Sequence, residues 1–224
     1  MKANLQIGQT CLPINGKLYT KPDYDKPVII DELPKQEYDH RRYGIPLRYK
    51  DITMEYIVKK GIPPQVQNNV RDVQAYIANL RENLNEGVGM VFRGTVGTMK
   101  TTLAVAIMRE TIELGKNAYF IPMANLMDKL FSGTTEERAK LEQRLQSVSL
   151  LVIDDLGMEY EKGWVTAKIR AIINDRYNEK KSTIITTNLG KDISDRYIEG
   201  MLDRIAGTST FSNFEGKSLR KLGD

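Results

Sequence analysis

The chain has 224 residues, 41% hydrophobic and 28% charged, which suits one core domain with extensions. Lys and Arg outnumber Asp and Glu by 33 to 29, and this net +4 permits nucleic-acid binding without demanding it. One cysteine (Cys11) and one histidine (His40, in a polar run that reads as solvated) argue against a disulfide framework, a cysteine-rich zinc site and histidine-based catalysis. The polar start MKANLQIGQT and the lack of any apolar run of membrane-spanning length point to a cytoplasmic protein with no membrane partner.

Residues 1–60 read as an irregular N-terminal arm. Pro13, Pro22, Pro27, Pro34 and Pro46 interrupt any long helix, Asn15-Gly16 signals a turn, and Val28-Ile29-Ile30 is a candidate short strand. Such an arm either packs on the main domain or docks a partner. Residues 61–224 carry the regular pattern. Val66, Val70, Val73, Tyr76, Ile77, Leu80 and Leu84 recur at steps of three and four, which predicts an amphipathic helix from Pro63 to about Asn85, stopped by Gly87.

A strand over 88–93 leads into the glycine-rich turn and a helix that ends near Gly115. Residues 117–121 form a second strand, followed by helices over 124–131 and 135–146, with Thr134 or Thr135 as the cap between them. Leu150 to Ile153 is a fully apolar strand ending in Asp154-Asp155, as a buried parallel strand reads. A helix over 164–179 follows, with Val165, Ile169, Ile172, Ile173 and Tyr177 apolar. Thr183 to Thr187 is a β-branched strand closing on Asn188, then a helix covers 193–205 and a strand or hairpin covers 208–214. Strands alternating with helices predict a parallel sheet with helices on both faces, whose ligands bind beyond the strand C-termini. Gly94, Asp154 and Asn188 all fall there.

The stretch Gly94-Thr95-Val96-Gly97-Thr98-Met99-Lys100-Thr101-Thr102 sits between strand and helix, the context that turns a glycine loop into a phosphate cradle. Its N–H groups face the phosphates, Lys100 reaches the terminal ones, and the Thr101 hydroxyl is a Mg²⁺ ligand. Met99 occupies the place of the second glycine in G-x-x-x-x-G-K-[ST]. The expectation is that Met99 keeps φ < 0 while Gly97 supplies the permissive turn. Asp154 is the second metal-holding candidate, and Asp155 is placed to orient or deprotonate an attacking water. Asn188 can hydrogen-bond the γ-phosphate or that water.

Together LLVIDDLG (150–157), INDRYNEKKSTIITTN (173–188) and GIPLRY (44–49) resemble the DnaC/DnaI helicase loaders and the related IstB transposition helper ATPases of the AAA+ superfamily. The resemblance implies a three-layer α/β P-loop ATPase core over 61–224, with a parallel five-stranded sheet and a minimal C-terminal lid. It also implies slow ATP·Mg²⁺ hydrolysis, ATP-dependent self-assembly, and loading of a hexameric replicative helicase on single-stranded DNA. A transposase is the alternative client, and an ATP-dependent assembly module with little turnover is a third reading. Asn188 would be the first sensor, Arg204 in MLDRIAG the arginine finger, and Arg220 in FEGKSLR a second sensor. Lys129, Arg138, Lys140 and Arg144 would contact DNA, unless they are an ordinary charged face balanced by Glu136, Glu137 and Glu142.

Overall fold

The described residues between 11 and 32, in a proline-broken stretch of sequence, form short strands. In the computed structural model, β1 (Cys11–Ile14), β2 (Lys17–Thr20) and β3 (Ile29–Glu32) form an antiparallel sheet in that order. Ile14 pairs with Lys17, the spacing of a two-residue hairpin. The residues described are 11–14, 17–20, 29–32, 38–157, 163–189 and 199–220. The chain divides into a unit of Met1–Asp39 and a unit of His40–Asp224. The boundary therefore falls before the expected residue 60. The reason is burial: Ile45 and Ile57 are each 2% exposed and belong to the second unit's core.

The second unit is built on five parallel strands: β4 (Gly89–Gly94), β5 (Ala118–Pro122), β6 (Leu150–Leu156), β7 (Ser182–Thr187) and β8 (Ser209–Phe214). Their order across the sheet is β5-β6-β7-β4-β8, and every neighbouring pair is parallel. The last strand is thus a sheet member beside β4 and not half of a hairpin. Alternate residues serve opposite faces. Val91, Tyr119, Ile121, Leu151, Ile153 and Ile185 join one core with α5 (Met123–Ser132), α6 (Thr135–Ser147), α7 (Gly163–Asn178) and α8 (Glu199–Thr208). Against the sheet packs α4 (Lys100–Glu113), with α1 (Met54–Lys60), α2 (Gln67–Ala78) and α3 (Leu80–Glu86) around it. This is the three-layer α/β architecture, and among the described residues no helix follows β8. No helix among them is long and apolar enough to cross a membrane.

Where the elements differ from expectation, side chains give the reason. The single helix expected over 63–85 is two, parted at Asn79. There Asn79 Nδ2 donates to Ala75 O (3.2 Å) and Asn83 Nδ2 to Tyr76 O (2.9 Å), so asparagine amides take carbonyls next to the break. The 193–205 helix starts, among described residues, at Glu199 and runs on to Thr208; 190–198 lie outside them. His40 is half-buried and bonds Ile45 O (2.7 Å) through Nδ1, and so is not simply solvated. On α7 the apolar stripe continues from Ile169, Ile172 and Ile173 not to Tyr177, which is 44% exposed, but to Arg176, which is 1% exposed.

Arg176 is a buried cation held by carbonyls. It donates to Leu145 O (2.7 Å) and Val148 O (2.9 Å) at the C-terminal end of α6, to Thr183 Oγ1 (2.9 Å), and to Ser182 O. The carbonyls that end a helix have no partners within it, so the guanidinium caps α6 and fastens it to the start of β7. Burial pulls its pKa down to about 9, which leaves it protonated at neutral pH.

Candidate nucleotide site

Strand β4 ends against β8. A Cβ on Gly94, at φ 133°, would lie 2.0 Å from Phe214 O, so only glycine fits. The chain then turns through Gly97 (φ 78°) and Met99 (φ 73°, ψ 11°), which immediately precedes α4. The expectation of φ < 0 at Met99 is overturned. The turn into α4 needs a left-handed residue directly before Lys100 as well as at Gly97, and the side chain is carried there at a strain of ~1–2 kcal/mol.

The loop is closed from inside and from the C-terminal side. Lys100 Nζ donates to Thr95 O (2.7 Å) and Gly94 O (2.9 Å), and Thr98 Oγ1 donates to Thr95 O (2.7 Å). An ammonium has three donors, so one remains for a phosphate oxygen. Thr95 N–H donates to Phe214 O (2.9 Å), Thr95 Oγ1 to Gly216 O (2.9 Å), and Leu219 N–H to Gly97 O (2.8 Å). Gln65 Nε2 holds the same segment through Lys217 O (2.7 Å). Val96, at the crown, is exposed, and Thr101 and Thr102 open the first turn of α4, whose N–H groups have no intrahelical partner. Burial lowers the Lys100 pKa; the carboxylates of Asp155 and Asp154 act against the shift and Arg220 adds to it.

Asp154 is almost fully buried beside this loop. Its Oδ1 accepts from Thr101 Oγ1 (2.8 Å) and from Thr186 Oγ1 (2.6 Å). Burial raises its pKa, partly offset by the Thr186 bond. Two hard oxygen donors in contact, Thr101 Oγ1 and an Asp154 carboxylate oxygen, fit Mg²⁺, which is commonly held by one or two carboxylates with water and substrate phosphates. Asp155 sits at φ 57°, its N–H donates to Thr186 Oγ1 (2.9 Å), and its Oδ1 accepts from Asn188 Nδ2 (3.2 Å). Lys100, Thr101, Asp154, Asp155 and Asn188 are thereby brought into one cluster. Arg220 is exposed and near enough to act on the charge of Lys100.

Arg204 lies elsewhere. Its Nη1 donates to Asn174 Oδ1 (3.0 Å), and its guanidinium sits 5.9 Å from the Tyr177 ring centroid. With Glu86, Lys180, Thr183 and Ser209 it lines a groove at the N-terminal ends of β7 and β8. The four basic residues proposed for DNA are also described. Lys140 pairs with Glu136 (2.7 Å), Arg138 Nε donates to Gly133 O (2.8 Å), and Arg144 lies 3.9 Å over the Tyr119 ring and donates to Arg42 O. Lys129 and Arg144 line a cavity of about 360 Å³ with Arg41, Asn125 and Tyr119, and no carboxylate lines it.

Sequence reasoning passed over Thr186, Arg176 and the backbone of 214–219. For Thr186 a signal existed: at period two it shares its side of β7 with Asn188. The clamp on the loop uses mostly main-chain atoms and left no signal in residue types.

Comparison with known proteins places this geometry. A replicative helicase loader DnaC of Buchnera aphidicola subsp. Acyrthosiphon pisum is 36% identical over 149 residues, 62% of this chain and 60% of that protein. A putative ATP-binding protein of insertion sequence IS21 from Pseudomonas aeruginosa is 30% identical over 140 residues, 58% of this chain and 52% of its own length. The chain spans about three-fifths of the length of the helicase loader it matches. A crystal structure of the DnaC helicase loader superposes with a TM-score of 0.64 at 27% identity, covering 76% of this chain and all of that one. The model of the IstB-like ATP binding proteins matches residues 53–223, from α1 through the phosphate loop, Asp154 and Asn188 to the C-terminal clamp, and the chain belongs to that family.

Proposed function

We propose that the chain binds ATP·Mg²⁺ on Gly94–Thr102, hydrolyses it slowly, and uses the cycle to load or remodel a hexameric replicative helicase on single-stranded DNA. The observation that carries the reading is the convergence of Thr101 and Thr186 on one oxygen of Asp154, beside Lys100 and the Asp155–Asn188 pair. The similarity to DnaC relatives supports a helicase as the client.

In this reading the N–H groups of the loop and Lys100 hold the β- and γ-phosphates. Thr101 and Asp154 hold Mg²⁺, which when bound neutralises charge developing on the phosphates. Asp155 takes the proton of the attacking water, and Asn188 orients both. Arg220 contacts the γ-phosphate from the C-terminal segment. Arg204 faces the loop of a neighbouring copy in an ATP-dependent assembly. Residues 1–39 dock the partner. Phosphates of single-stranded DNA enter the cation-lined cavity at Arg41, Lys129 and Arg144, with Arg138 and Lys140 alongside.

The test is phosphate release by the full chain together with helicase loading onto forked DNA by the replicative helicase of the source organism. Lys100→Ala should abolish both. Turnover without helicase capture, with a transposase retained instead, would move the reading to a transposition helper. Stoichiometric ATP binding with no release in a single turnover would leave an assembly module.

A further inference from the structure

Thr186 is bonded into the cluster described above but has been given no role in it. It is fully buried in β7, where a polar group costs free energy unless both its donor and its acceptor capacity are used. Both are used, one on a side chain and one on the main chain of the neighbouring strand's aspartate pair. The hydroxyl donates to Asp154 Oδ1 (2.6 Å) and accepts the N–H of Asp155 (2.9 Å).

The ladder around it is irregular. Ile153 faces Ile185, but Leu156 faces Thr187, so three steps along β6 match two along β7. One extra residue is accommodated there as a bulge, and Asp155 takes the left-handed conformation (φ 57°). In a regular strand two successive side chains point to opposite faces, and only one of the two aspartates would serve the site. With the bulge, Asp154 meets Thr101 while Asp155 meets Asn188, and both carboxylates act on the charge of Lys100. A bulge leaves an N–H without its ladder partner, and Thr186 Oγ1 supplies that partner.

We infer that Thr186 is a positioning residue: its side chain fastens the β6 bulge and so sets Asp154 toward the metal and Asp155 toward the attacking water. The inference rests on the ATPase reading and adds to it a residue that touches neither nucleotide nor water.

Thr186→Val keeps the shape and removes both bonds. With purified full-length protein, kcat should fall at least tenfold and the Mg²⁺ concentration for half-maximal turnover should rise severalfold. The affinity for a fluorescent ATP analogue in EDTA should stay within twofold, because Lys100 and the loop are untouched. Mn²⁺ binding to the nucleotide complex, read by electron paramagnetic resonance, should weaken in parallel. Thr186→Ser should restore kcat and metal affinity to within about threefold of the parent. If the valine variant does not fold, Thr186→Ala is measured in the same way. A valine or alanine variant with parental turnover and Mn²⁺ binding overturns the inference. So does a serine variant as impaired as valine, or a parallel loss of metal-free nucleotide binding, since these mark a packing role. A parent chain that binds ATP but never releases phosphate defeats the ATPase reading instead, and Mn²⁺ binding still tests whether Thr186 sets Asp154.

Discussion

Met99 and Gly97 are both left-handed, at φ 73° and 78°, so the phosphate loop makes two such turns and places glycine at only one of them. A side chain in this region costs ~1–2 kcal/mol, and glycine gives back part of that through the entropy of the unfolded chain. Met99→Gly should therefore raise stability by about 0.5–1 kcal/mol, a Tm gain of roughly 1–4 °C for a chain of this size. The loop already holds the turned conformation, so ATP affinity should change less than about threefold, under ~1 kcal/mol. Thermal melts and calorimetric titration check the two halves separately. A hundredfold gain in affinity would show that the methionine distorts the cradle itself.

Asp154 is raised in pKa by burial, and the sign of the consequence is definite. A folded-state pKa above the unfolded value means that the folded chain binds more protons across the window between them. Stability without metal therefore falls as pH rises through that window, from the ordinary carboxylate range near ~3.9 upward. Asp154→Asn removes the buried charge while keeping an oxygen for Thr101 and Thr186. The metal-free protein should melt roughly 2–4 °C higher at pH 7, about 1 kcal/mol, and lose that advantage at acid pH. The Mg²⁺-dependent part of ATP binding should disappear. Melting curves between pH 4 and 8, with and without Mg²⁺, measure both effects.

Arg176 has the opposite balance, because its removal strands several buried acceptors at once. Each unpaired acceptor costs about 1–3 kcal/mol. Arg176→Met, which retains bulk but no donors, should lose at least ~3 kcal/mol and lower the midpoint of urea unfolding accordingly. A loss below ~1 kcal/mol would mean that water replaces the guanidinium at the end of α6.

Arg204 cannot serve its own phosphate loop. Its groove lies at the N-terminal ends of strands whose C-terminal ends meet the candidate nucleotide site, a separation of roughly 17 Å for a six-residue strand. Arg204→Ala should bind ATP normally and fail to hydrolyse it, by ~10³-fold or more if the finger resembles those of GTPases. Lys100→Ala should fail at its own loop yet offer a sound arginine. Mixing the two inactive variants should regenerate part of the phosphate release at interfaces that pair an intact loop with an intact Arg204. Demonstrated co-assembly with no recovery would rule out action in trans.

The sheet was legible because its strands are apolar runs ending at chemically marked residues: Gly94, Asp154 and Asn188 each follow an unmistakable β stretch. The candidate phosphate loop was legible from its place between a strand and a helix, because Met99 breaks the glycine spacing. Left-handed φ at Met99 is invisible when glycine is absent, because residue type was the only clue to the turn. Arg176 drew no reading at all, although it occupies the next place of the stripe Ile169, Ile172, Ile173. Thr186 looked like one more β-branched strand former. The break at Asn79 was hidden by a periodicity that runs unbroken across it. At Arg176 and Thr186 a polar group satisfied by a neighbour distant in sequence overrode the local pattern, whereas at Asn79 the amides take carbonyls close by in the chain.

The clamp on the loop also governs the order in which the molecule can be completed. Gly94 pairs with Phe214, and Thr95 bonds Gly216, 121 positions further along. The loop and the helix it opens are synthesised in the first half of the chain, but β8 emerges after every other strand. The phosphate cradle is therefore among the last parts to close, and contacts at this sequence separation are intrinsically slow to form. A nascent or truncated chain that stops before Phe214 would present the whole of Gly94–Thr102 yet lack the edge that holds it. A nucleotide held on Gly94–Thr102 would reward completion of this fold rather than seed it.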